Sequence, residues 1–585
     1  MSKITIDQKT IKELFSDKKA DFLIPDYQRP YAWGENECQT LWDDLFAFAF
    51  PENEYGDFDP EKFNTDDEYY LGPIVTFKNT TTGQLEIIDG QQRLTTLMLL
   101  LRAFYSKFGK MSGTNIRKIK ESIEQCIWKI DEDEEVIPDE LKISSDVATD
   151  NDKAEFLDIL KSGEAKPSFT SIYAKNFRFF QQQIDDYKDD YADYFSKLPK
   201  RILDNCILLP IEAESQDTAL RIFSTLNDRG KPLSDADIFK SQFYKYFSSI
   251  GKKNNFVDQW KQLEEKVDNL FHPIAGTPMD DLFTRYMYYE RAKLGIKSST
   301  TEALRKFYEK NSYSLLRKKE TLDNLIDLAS FWYDVDIQNS ERFGDEVLRN
   351  LFILNYAPNG MWNYFVSVYY MQNRKVDGSL DNDKFYKFLS KIIAFIWGYA
   401  IVRPGVNALR TPIFAEMVNI VKGQEVTFKD FLFEENHIKS SIENYQFNNN
   451  RAITKSMLTW WAFQMKQQKL IELDTVLETE HIFAKNRQDK EHSLTDSKNL
   501  ECLGNKALLE KRINIRASDY RFEDKKKYYQ GYKTEKGQEK EGSKIFELVN
   551  LAETHDDFNE SDIISRNSSI IKGFINYLRD NDLLA

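Results

Sequence analysis

The sequence predicts a multidomain protein of mixed α and β structure that is mostly helical. Three observations lead to this fold class. The chain has 585 residues, which is more than one hydrophobic core usually serves. Aromatic residues make up 14% of the chain, a share that disordered chains lack. Short segments rich in β-branched residues occur towards both ends, whereas the long stretches between them repeat apolar residues at helical spacing.

Charge clusters and turn-forming residues divide the chain into three predicted parts. Residues 1–250 mix strand and helix patterns, residues 251–455 contain long helical patterns rich in Phe, Tyr and Trp, and residues 456–585 return to a mixed pattern. Because the aromatic residues of the middle part recur at helix spacing, we expect them to pack in a core rather than to stack on bases. The absence of a low-complexity linker favours packed domains.

Composition narrows the possible classes of function. The net charge of −15 argues against a protein that coats nucleic acid through bulk attraction, although it leaves room for a local basic site. The four cysteines have no C-x-x-C spacing, which argues against a disulfide framework or a thiolate zinc site. The N-terminus lacks the apolar segment of a secretory signal, and the longest apolar run, around Ile392 to Val402, is shorter than the roughly 20 residues that span a bilayer. We therefore expect a soluble, cytoplasmic protein.

The first chemical pattern is a strand followed directly by a helix. The strand pattern ends at Asp89 and Gly90, and the helical pattern runs from Gln91 to Phe108. Gly90 allows the sharp turn that such a junction needs. Arg93 lies in the first helical turn, where free backbone N–H groups favour an anion such as phosphate. An ordinary corner between a strand and a helix is the alternative explanation.

Two more segments have an unusual polar and aromatic composition. Residues 24–33 read I-P-D-Y-Q-R-P-Y-A-W, and residues 223–237 read F-S-T-L-N-D-R-G-K-P-L-S-D-A-D. The second of them predicts a helix that ends near Asn227, a left-handed cap at Gly230 and a capping box from Ser234 to Asp237. Structural punctuation alone is its alternative explanation. The chain has no G-x-x-x-x-G-K-[ST] motif, which argues against a Walker-type NTPase.

Together these segments resemble the GmrS-type domain (domain of unknown function 262). Its hallmarks I-P-x-Y-Q-R-x-Y-x-W, D-G-Q-Q-R-L-T-T-L and L-N-x-R-G-x-x-L occur here in that order within the first 250 residues. The resemblance implies a nucleotide-binding domain with a ParB- and sulfiredoxin-like fold. It also implies a nucleoside triphosphate ligand (GTP, UTP or ATP), which is either hydrolysed or only sensed. The implied nucleotide-binding residues are Asp89, Gly90, Gln91, Gln92, Arg93, Gln28, Arg29, Asn227 and Arg229.

The second chemical pattern lies in the C-terminal part. Glu480 and His481 end a predicted strand, and Asn505 and Asn514 follow at intervals typical of an HNH nuclease, a ββα-metal fold of two strands and a helix. A histidine of ordinary pKa can deprotonate water at neutral pH. Oxygen ligands from Glu480 and Asn514 suit a hard cation such as Mg²⁺ or Mn²⁺. We therefore predict His481 and Asn505 as catalytic residues, with Asn505 holding the imidazole in its orientation.

The charge balance reverses beside this pattern. Between Asn505 and Thr534 the chain has nine Lys or Arg residues and four Asp or Glu residues. This excess favours a surface that grips DNA phosphates, and a solvated helix face is the alternative. The predicted DNA-binding residues are Lys506, Lys511, Arg512, Lys525 and Lys526. The remaining histidines are expected to be structural: His272, His437, His492 and His555.

The run E-H-I…L-G-N…N…F-x-x-K-K resembles the GmrD-type nuclease domain (domain of unknown function 1524) over about residues 455–585. Both resemblances together imply a fused GmrSD-like protein. It would be an NTP-dependent HNH endonuclease with NTPase activity that cuts double-stranded, modified phage DNA in bacterial defence. One alternative is a nicking effector that depends on partner proteins of a defence system. Another is a nucleotide sensor or DNA-binding adaptor with an inactive nuclease centre. The oligomeric state, including a homo-oligomer, stays open.

Overall fold

The computed structural model describes residues 5–50, 67–109, 111, 113–133, 135–147, 150, 152–191, 195–215, 218–219, 222, 234–403, 406–518 and 521–585. They form two compact units, residues 1–262 and 263–585, and helix Lys253–Leu270 contains the boundary. The predicted division near residue 250 lies close to this boundary. Most of residues 251–455 share the second unit with residues 456–585, because helix Ala452–Phe463 packs against both groups of elements.

A mixed β-sheet lies at the centre of the first unit. Strands β4 and β9 are parallel, β4 and β5 are antiparallel, and β5, β3 and β8 are parallel. The order across the sheet is β1-β9-β4-β5-β3-β8, with β2 also beside β9, while β6 and β7 form a separate hairpin. The strands are β1 (Thr5–Ile6), β2 (Lys9–Thr10), β3 (Phe22–Ile24), β4 (Tyr69–Lys78), β5 (Leu85–Asp89), β6 (Trp128–Ile130), β7 (Val136–Leu141), β8 (Ile143–Ser145) and β9 (Cys206–Ala213).

Helices cover this sheet and bury one large apolar core. Helix Gln91–Phe108 begins and ends at the predicted residues, and the apolar residues that recur along it at helical spacing are fully buried: Leu94, Leu97, Met98, Leu101 and Phe104. Its regular spacing of Leu and Phe explains the agreement. The other helices of this unit are Ile11–Ser16, Glu35–Ala49, Thr114–Ile127, Lys153–Ser162, Ile172–Asp190, Lys197–Asn205 and Asp235–Ser249.

The second unit is mostly helical. Its longer helices before the C-terminal hairpin are Pro278–Lys293, Lys319–Asp336, Asp345–Leu354, Met361–Asn373, Asn382–Val402, Val406–Val421, Glu435–Asn444 and Ala452–Phe463. Their aromatic residues pack against one another, as predicted from helix spacing. Helix Asn382–Val402 is long and apolar enough to cross a membrane by length and composition, and 72% of its apolar window is buried within the structure.

The C-terminal part of this unit contains an antiparallel hairpin. Strand β10 (Leu477–His481) pairs with β11 (Lys506–Glu510), so that His481 lies opposite Lys506. Helix Lys511–Ala517 starts directly after β11, which gives a ββα arrangement. The remaining elements are helix Lys485–Glu491, helix Phe522–Gln530, strands β12 (Gly531–Lys533) and β13 (Glu539–Glu541), and helices Phe546–Thr554 and Glu560–Asp580. The α+β, mostly helical fold class is confirmed.

The segment before β11 is held from inside by Arg566 of the last helix. Its Nη1 donates to the carbonyl oxygens of Leu503, Gly504 and Lys506, at 2.7, 3.0 and 2.8 Å. Its Nε donates to the Glu547 carboxylate at 2.8 Å, which balances the buried charge. These bonds satisfy carbonyl groups that the fold removes from water.

The close approach of this helix depends on a glycine. A Cβ at position 504 would lie 2.1 Å from the carbonyl oxygen of Ile563 and 2.7 Å from the Cβ of Asn567. Because neither atom can retreat without moving helix Glu560–Asp580, only glycine fits here.

We expect Gly504→Ala to lower the free energy of unfolding of the second unit by about 1–3 kcal/mol, the usual cost of overpacking. Chemical denaturation followed by circular dichroism measures the loss. Gly344→Ala is the control, since a Cβ at that position meets no atom within 4 Å. An equal loss in both variants would contradict the packing explanation.

Candidate functional site

The predicted phosphate corner lies where β5 meets helix Gln91–Phe108. Gly90 caps the helix with φ of 92° and ψ of 4°, a left-handed conformation that glycine adopts without strain. A Cβ at this position would lie 3.1 Å from the Cγ1 of Ile74. The first helical turn therefore starts in a tight corner, with its backbone N–H groups at the positive end of the helix dipole.

Charged side chains cluster at this corner. Nη1 of Arg93 donates to the carbonyl oxygen of Pro73 at 2.9 Å. A Cβ at Gly72 would lie 2.9 Å from Nη2 of Arg93, so that glycine leaves space for the guanidinium. Burial lowers the pKa of Arg93. Burial raises the pKa of Asp89, while the Gly90 N–H and the charges of Arg93 and Arg29 act in the opposite direction. The structure thus brings Arg29, Asp89, Gly90 and Arg93 together.

The side chain of Gln92 fastens residues 30–33 to the helix start. Its Oε1 accepts hydrogen bonds from the backbone N–H groups of Ala32 and Trp33, at 2.7 and 3.2 Å. Its Nε2 donates to the carbonyl oxygen of Pro30 at 3.1 Å. The carboxamide is therefore engaged with the protein backbone on both sides.

Gln28 and Gln91 fasten the same loop at two other points. Nε2 of Gln28 donates to the carbonyl oxygens of Ile87 and Ile88, each at 3.2 Å. Nε2 of Gln91 donates to the carbonyl oxygen of Arg29 at 3.3 Å. All three glutamines are buried and position the loop that brings Arg29 to the corner. Their direct contact with a nucleotide stays a prediction.

The third predicted segment is described only in part. The capping box is confirmed, because the N–H of Asp237 donates to Oγ of Ser234 at 3.1 Å and the N–H of Ser234 donates to Oδ2 of Asp237 at 3.0 Å. Asn227 and Arg229, predicted as nucleotide-binding residues, lie outside the residues that the structure describes.

In the second unit, Asn505 holds the chain that follows His481. Its Oδ1 accepts from the N–H of Phe483 at 2.7 Å, and its Nδ2 donates to the carbonyl oxygens of Phe483 and Leu500, at 3.1 and 3.0 Å. The carboxamide is fully buried. Asn505 therefore fixes the backbone beside His481, whereas the sequence predicted that it holds the imidazole itself.

The imidazole of His481 instead faces Glu501. His481 Nε2 lies 3.3 Å from Oε1 of Glu501. Burial and the charge of Lys506 lower the pKa of His481 to about 4, although Glu501 acts in the opposite direction. The imidazole is therefore neutral at pH 7 and able to accept a proton. When the carboxylate accepts from Nε2–H, the lone pair is on Nδ1.

Lys506 and Asn449 complete this polar cluster. Nζ of Lys506 donates to Oε2 of Glu501 at 2.5 Å and to Oδ1 of Asn449 at 2.6 Å. Burial opposes ionisation of Glu501, yet its bond with Lys506 leaves the pKa of Glu501 lowered. Lys506 is fully buried, so it supports the His481 cluster from inside and does not present its charge to DNA at the surface.

The predicted metal ligand Glu480 is engaged elsewhere. Its Oε1 accepts from Nζ of Lys525 and from the hydroxyl of Tyr529, both at 2.7 Å. Nζ of Lys525 also donates to the carbonyl oxygen of His481 at 2.7 Å. All three side chains are buried. Glu480 is thus half of an internal ion pair, and burial likewise removes Lys525 from the predicted DNA surface.

Asn514, the second predicted metal ligand, lies beside a different carboxylate. Its Nδ2 donates to Oε2 of Glu478 at 2.9 Å, and the Glu478 side chain is 36% exposed. Side chains alternate along β10, so Glu478 and Glu480 point away from the face of His481. Because Glu480 is bonded to Lys525 and Tyr529 while Asn514 is bonded to Glu478, the pair predicted to hold a cation, Glu480 and Asn514, does not fit as a common donor set. Within the described residues, no group of three or more His, Cys, Asp or Glu side chains has the arrangement of a metal site.

The other predicted DNA-binding residues lie nearer the surface. Lys511 and Arg512 are exposed at the start of helix Lys511–Ala517. Lys526 is less exposed, and its Nζ lies 3.3 Å from the Asp556 carboxylate. The surface predicted from the charge excess is therefore smaller than the composition indicates, because two of its five cations are internal.

Sequence reasoning missed Glu501, Asn449 and Glu478. None of them is among the predicted site residues, and Asn449 and Glu478 lie 57 and 36 residues along the chain from the side chains that they bond. The spacing of apolar residues predicts helices and strands, but it does not show which loop covers His481. The one sequence signal for Glu501 is that it is a carboxylate five residues before Lys506, where β11 begins.

We expect Asn505→Ala to lower the free energy of unfolding of the second unit by about 2–3 kcal/mol, because it leaves buried backbone groups without partners. Amide exchange at Ile482 and Phe483 should accelerate, which hydrogen-exchange mass spectrometry measures. Asn550→Ala, an exposed helical position, is the control. Unchanged exchange at these two amides in the Asn505 variant would show that the carboxamide is not what holds this segment.

Two family models match this chain. The model of the GmrSD restriction endonuclease N-terminal domain matches residues 11–244, and that of the GmrSD restriction endonuclease C-terminal domain matches residues 429–572. The two matches cover about two thirds of the chain. No curated protein matches it. The C-terminal match begins before the predicted boundary at 456, so it includes Asn449 as well as His481. The chain belongs to the GmrSD family of restriction endonucleases, nucleases that cut DNA in defence against phage.

Proposed function

We propose that this GmrSD-type protein is a metal-dependent DNA endonuclease whose HNH-type centre is built around His481 and is regulated by a nucleoside triphosphate bound to the first unit. The observation behind the nuclease assignment is the ββα arrangement of β10, β11 and helix Lys511–Ala517, with a buried asparagine fixing the turn after His481. The substrate proposed from family membership is double-stranded phage DNA that carries modified bases. The proposed compartment is the cytoplasm, where such DNA enters.

His481 is proposed as the general base. Its neutral imidazole accepts a proton from water, the water oxygen attacks the phosphorus, and the bond from phosphorus to the 3′-oxygen breaks. Glu501 holds the ring through Nε2, Lys506 holds Glu501, and Asn505 fixes the backbone beside the ring. These contacts hold the base in one orientation before DNA binds, which is what general-base catalysis requires.

A divalent cation, Mg²⁺ or Mn²⁺, is proposed at Glu478 and Asn514 rather than at Glu480. The carboxylate and the amide oxygen are hard donors, and both residues are accessible in part. Mg²⁺ commonly takes one or two protein oxygens and completes its shell with water and phosphate. Because Glu478 points away from the face of His481, a cation held there would neutralise charge on DNA beside the centre and would not contact the phosphate at the imidazole.

The proposed nucleotide site is the corner at Gly90. Arg29 and Arg93 provide positive charge, the helix start provides backbone N–H groups, and Gly90 lets phosphate approach closely. GTP, UTP and ATP all have the triphosphate that this chemistry recognises. Regulation by NTP, with or without hydrolysis, is proposed from this geometry and from family membership.

We expect His481→Ala to abolish cleavage while leaving the fold intact. The measurement is a plasmid-cleavage panel of plain, methylated, glucosylated and phosphorothioated DNA, each with and without NTP and Mg²⁺. Nicked and linear products separate a nicking effector from an enzyme that cuts both strands. His437→Ala is the control, because that side chain is exposed on helix Glu435–Asn444. Cleavage by the His481 variant at the wild-type rate would refute the assignment.

The pH dependence of cleavage provides a second test of the same residue. Above its pKa the imidazole is neutral and accepts a proton, whereas below it the ring is charged and inactive. Since the pKa is lowered to about 4, kcat/KM should stay level as the pH falls from 8 to 5 and then decline. A decline centred near pH 6.5, the ordinary value for histidine, would contradict the burial of the base.

We expect Arg93→Gln to weaken NTP binding by at least about tenfold, because it removes a charge that pairs with phosphate. Isothermal titration calorimetry measures the affinity. Arg117→Gln is the control, since Arg117 lies on a helix surface with 73% of its side chain exposed. Equal affinities of the Arg93 variant and the wild type would exclude this corner as the phosphate site.

A further inference from the structure

The second unit contains a cavity of about 300 Å³ that the proposed nuclease chemistry does not use. It opens to solvent between helices Asn382–Val402, Val406–Val421 and Ala452–Phe463 and the segment before the last of them. Its size is at the lower end of small-molecule sites. The lining residues are Pro358, Asn359, Ile396, Tyr399, Ala400, Arg403, Leu409, Tyr445, Arg451, Ala452 and Ile453.

Two arginines give this cavity its chemical character. Arg403 and Arg451 both line it, and within the described residues neither guanidinium forms an ion pair with a carboxylate. The chain has 95 Asp and Glu residues against 80 Lys and Arg residues, so cations beside one another without acidic partners are unexpected. Arg451 also precedes the first turn of helix Ala452–Phe463, whose dipole adds to the positive potential. The cavity therefore favours an anion.

Each arginine lies beside an aromatic ring of the same cavity. The Arg451 guanidinium lies 5.0 Å from the ring centroid of Tyr445, and that of Arg403 lies 5.9 Å from the ring of Tyr399. Planar aromatic groups stack on tyrosine rings and on guanidinium planes. A ligand that satisfies all four side chains combines a flat aromatic part with a negative charge.

One lining residue of this cavity, Arg451, lies close along the chain to the proposed nuclease centre. Asn449, two residues before Arg451, accepts from Nζ of Lys506 at 2.6 Å, and Lys506 holds the Glu501 that faces His481. The N–H of Phe447 donates to the carbonyl oxygen of Glu501 at 3.2 Å. Consecutive Cα atoms are about 3.8 Å apart, so Arg451 lies within about two such steps of a residue of the His481 cluster.

We propose that this cavity binds a nucleotide, with the base against Tyr445 and the phosphate against Arg403 and Arg451. This inference rests on the proposed DNA cleavage. The bound nucleotide is part of the DNA, and it swings out of the base stack beside the bond that is cleaved. An extruded base is open to inspection on all edges, which a base inside a duplex is not. The pocket thereby gives the enzyme a place to distinguish a modified base.

The test is photo-crosslinking of the full chain to an oligonucleotide duplex that contains 5-iododeoxyuridine, followed by mapping of the adduct by mass spectrometry. We expect adducts at Tyr445. Arg403→Gln with Arg451→Gln should reduce the adduct yield at least tenfold. Arg579→Gln with Lys439→Gln is the control, because it removes two exposed positive charges of the same unit outside the cavity.

The same crosslinking is carried out with free 5-iodo-deoxyuridine monophosphate. The comparison shows whether the cavity binds a nucleotide of the duplex or a free nucleotide. Adducts from the duplex support extrusion, whereas adducts at the same tyrosine from the free nucleotide alone would overturn extrusion and leave a mononucleotide pocket. Adducts confined to other segments, or equal yields in the cavity and control variants, would overturn the proposal. Metal-dependent cleavage by the wild type is measured in parallel. Cleavage without cavity adducts refutes the pocket alone, and adducts without cleavage refute the nuclease assignment instead.

Discussion

The buried polar clamp around residues 503–506 is the constraint on which the second unit depends. Asn505 bonds to the N–H and to the carbonyl oxygen of Phe483, and Arg566 donates to three carbonyl oxygens of residues 503–506. These groups have no access to water, so each lost bond leaves an unpaired polar atom in the interior. The place of His481 relative to β11 follows from this network, because the turn cannot shift without breaking several bonds at once.

In the first unit, side-chain amides likewise provide hydrogen-bond partners for buried backbone groups. Gln91 and Gln92 bond to backbone groups of a proline-containing loop that has no regular secondary structure of its own, and Gln28 of that loop bonds to the backbone of β5. A buried irregular loop needs such partners, because its backbone cannot satisfy itself as a helix does. Both strand-end sites are therefore fixed by buried carboxamides, while the charged groups beside them remain for chemistry.

The sequence predicted helices and strands better than it predicted which side chains bond to each other. Helix Gln91–Phe108 was predicted at both ends because its apolar spacing and Gly90 act over a few residues. The pairing of Glu480 with Lys525 was not predicted, since it depends on which helix covers which face of β10. A lysine in a basic run also looks the same whether it faces solvent or, like Lys506, the interior. The α+β class and the family motifs can be recognised from residues that are close along the chain. The set of side chains that could bind a cation depends instead on tertiary packing.

The internal pair of Glu480 and Lys525 also limits how this protein can change over generations. Loss of either charge alone leaves the other buried and uncompensated, which typically costs about 3–5 kcal/mol, whereas replacing both by apolar residues of similar volume is often neutral. Tyr529 shares the same carboxylate oxygen, so its hydroxyl is affected as well. A single substitution at either position therefore destabilises the second unit, whereas an apolar version of the pair requires both substitutions together. This constraint comes from folding and is independent of catalysis.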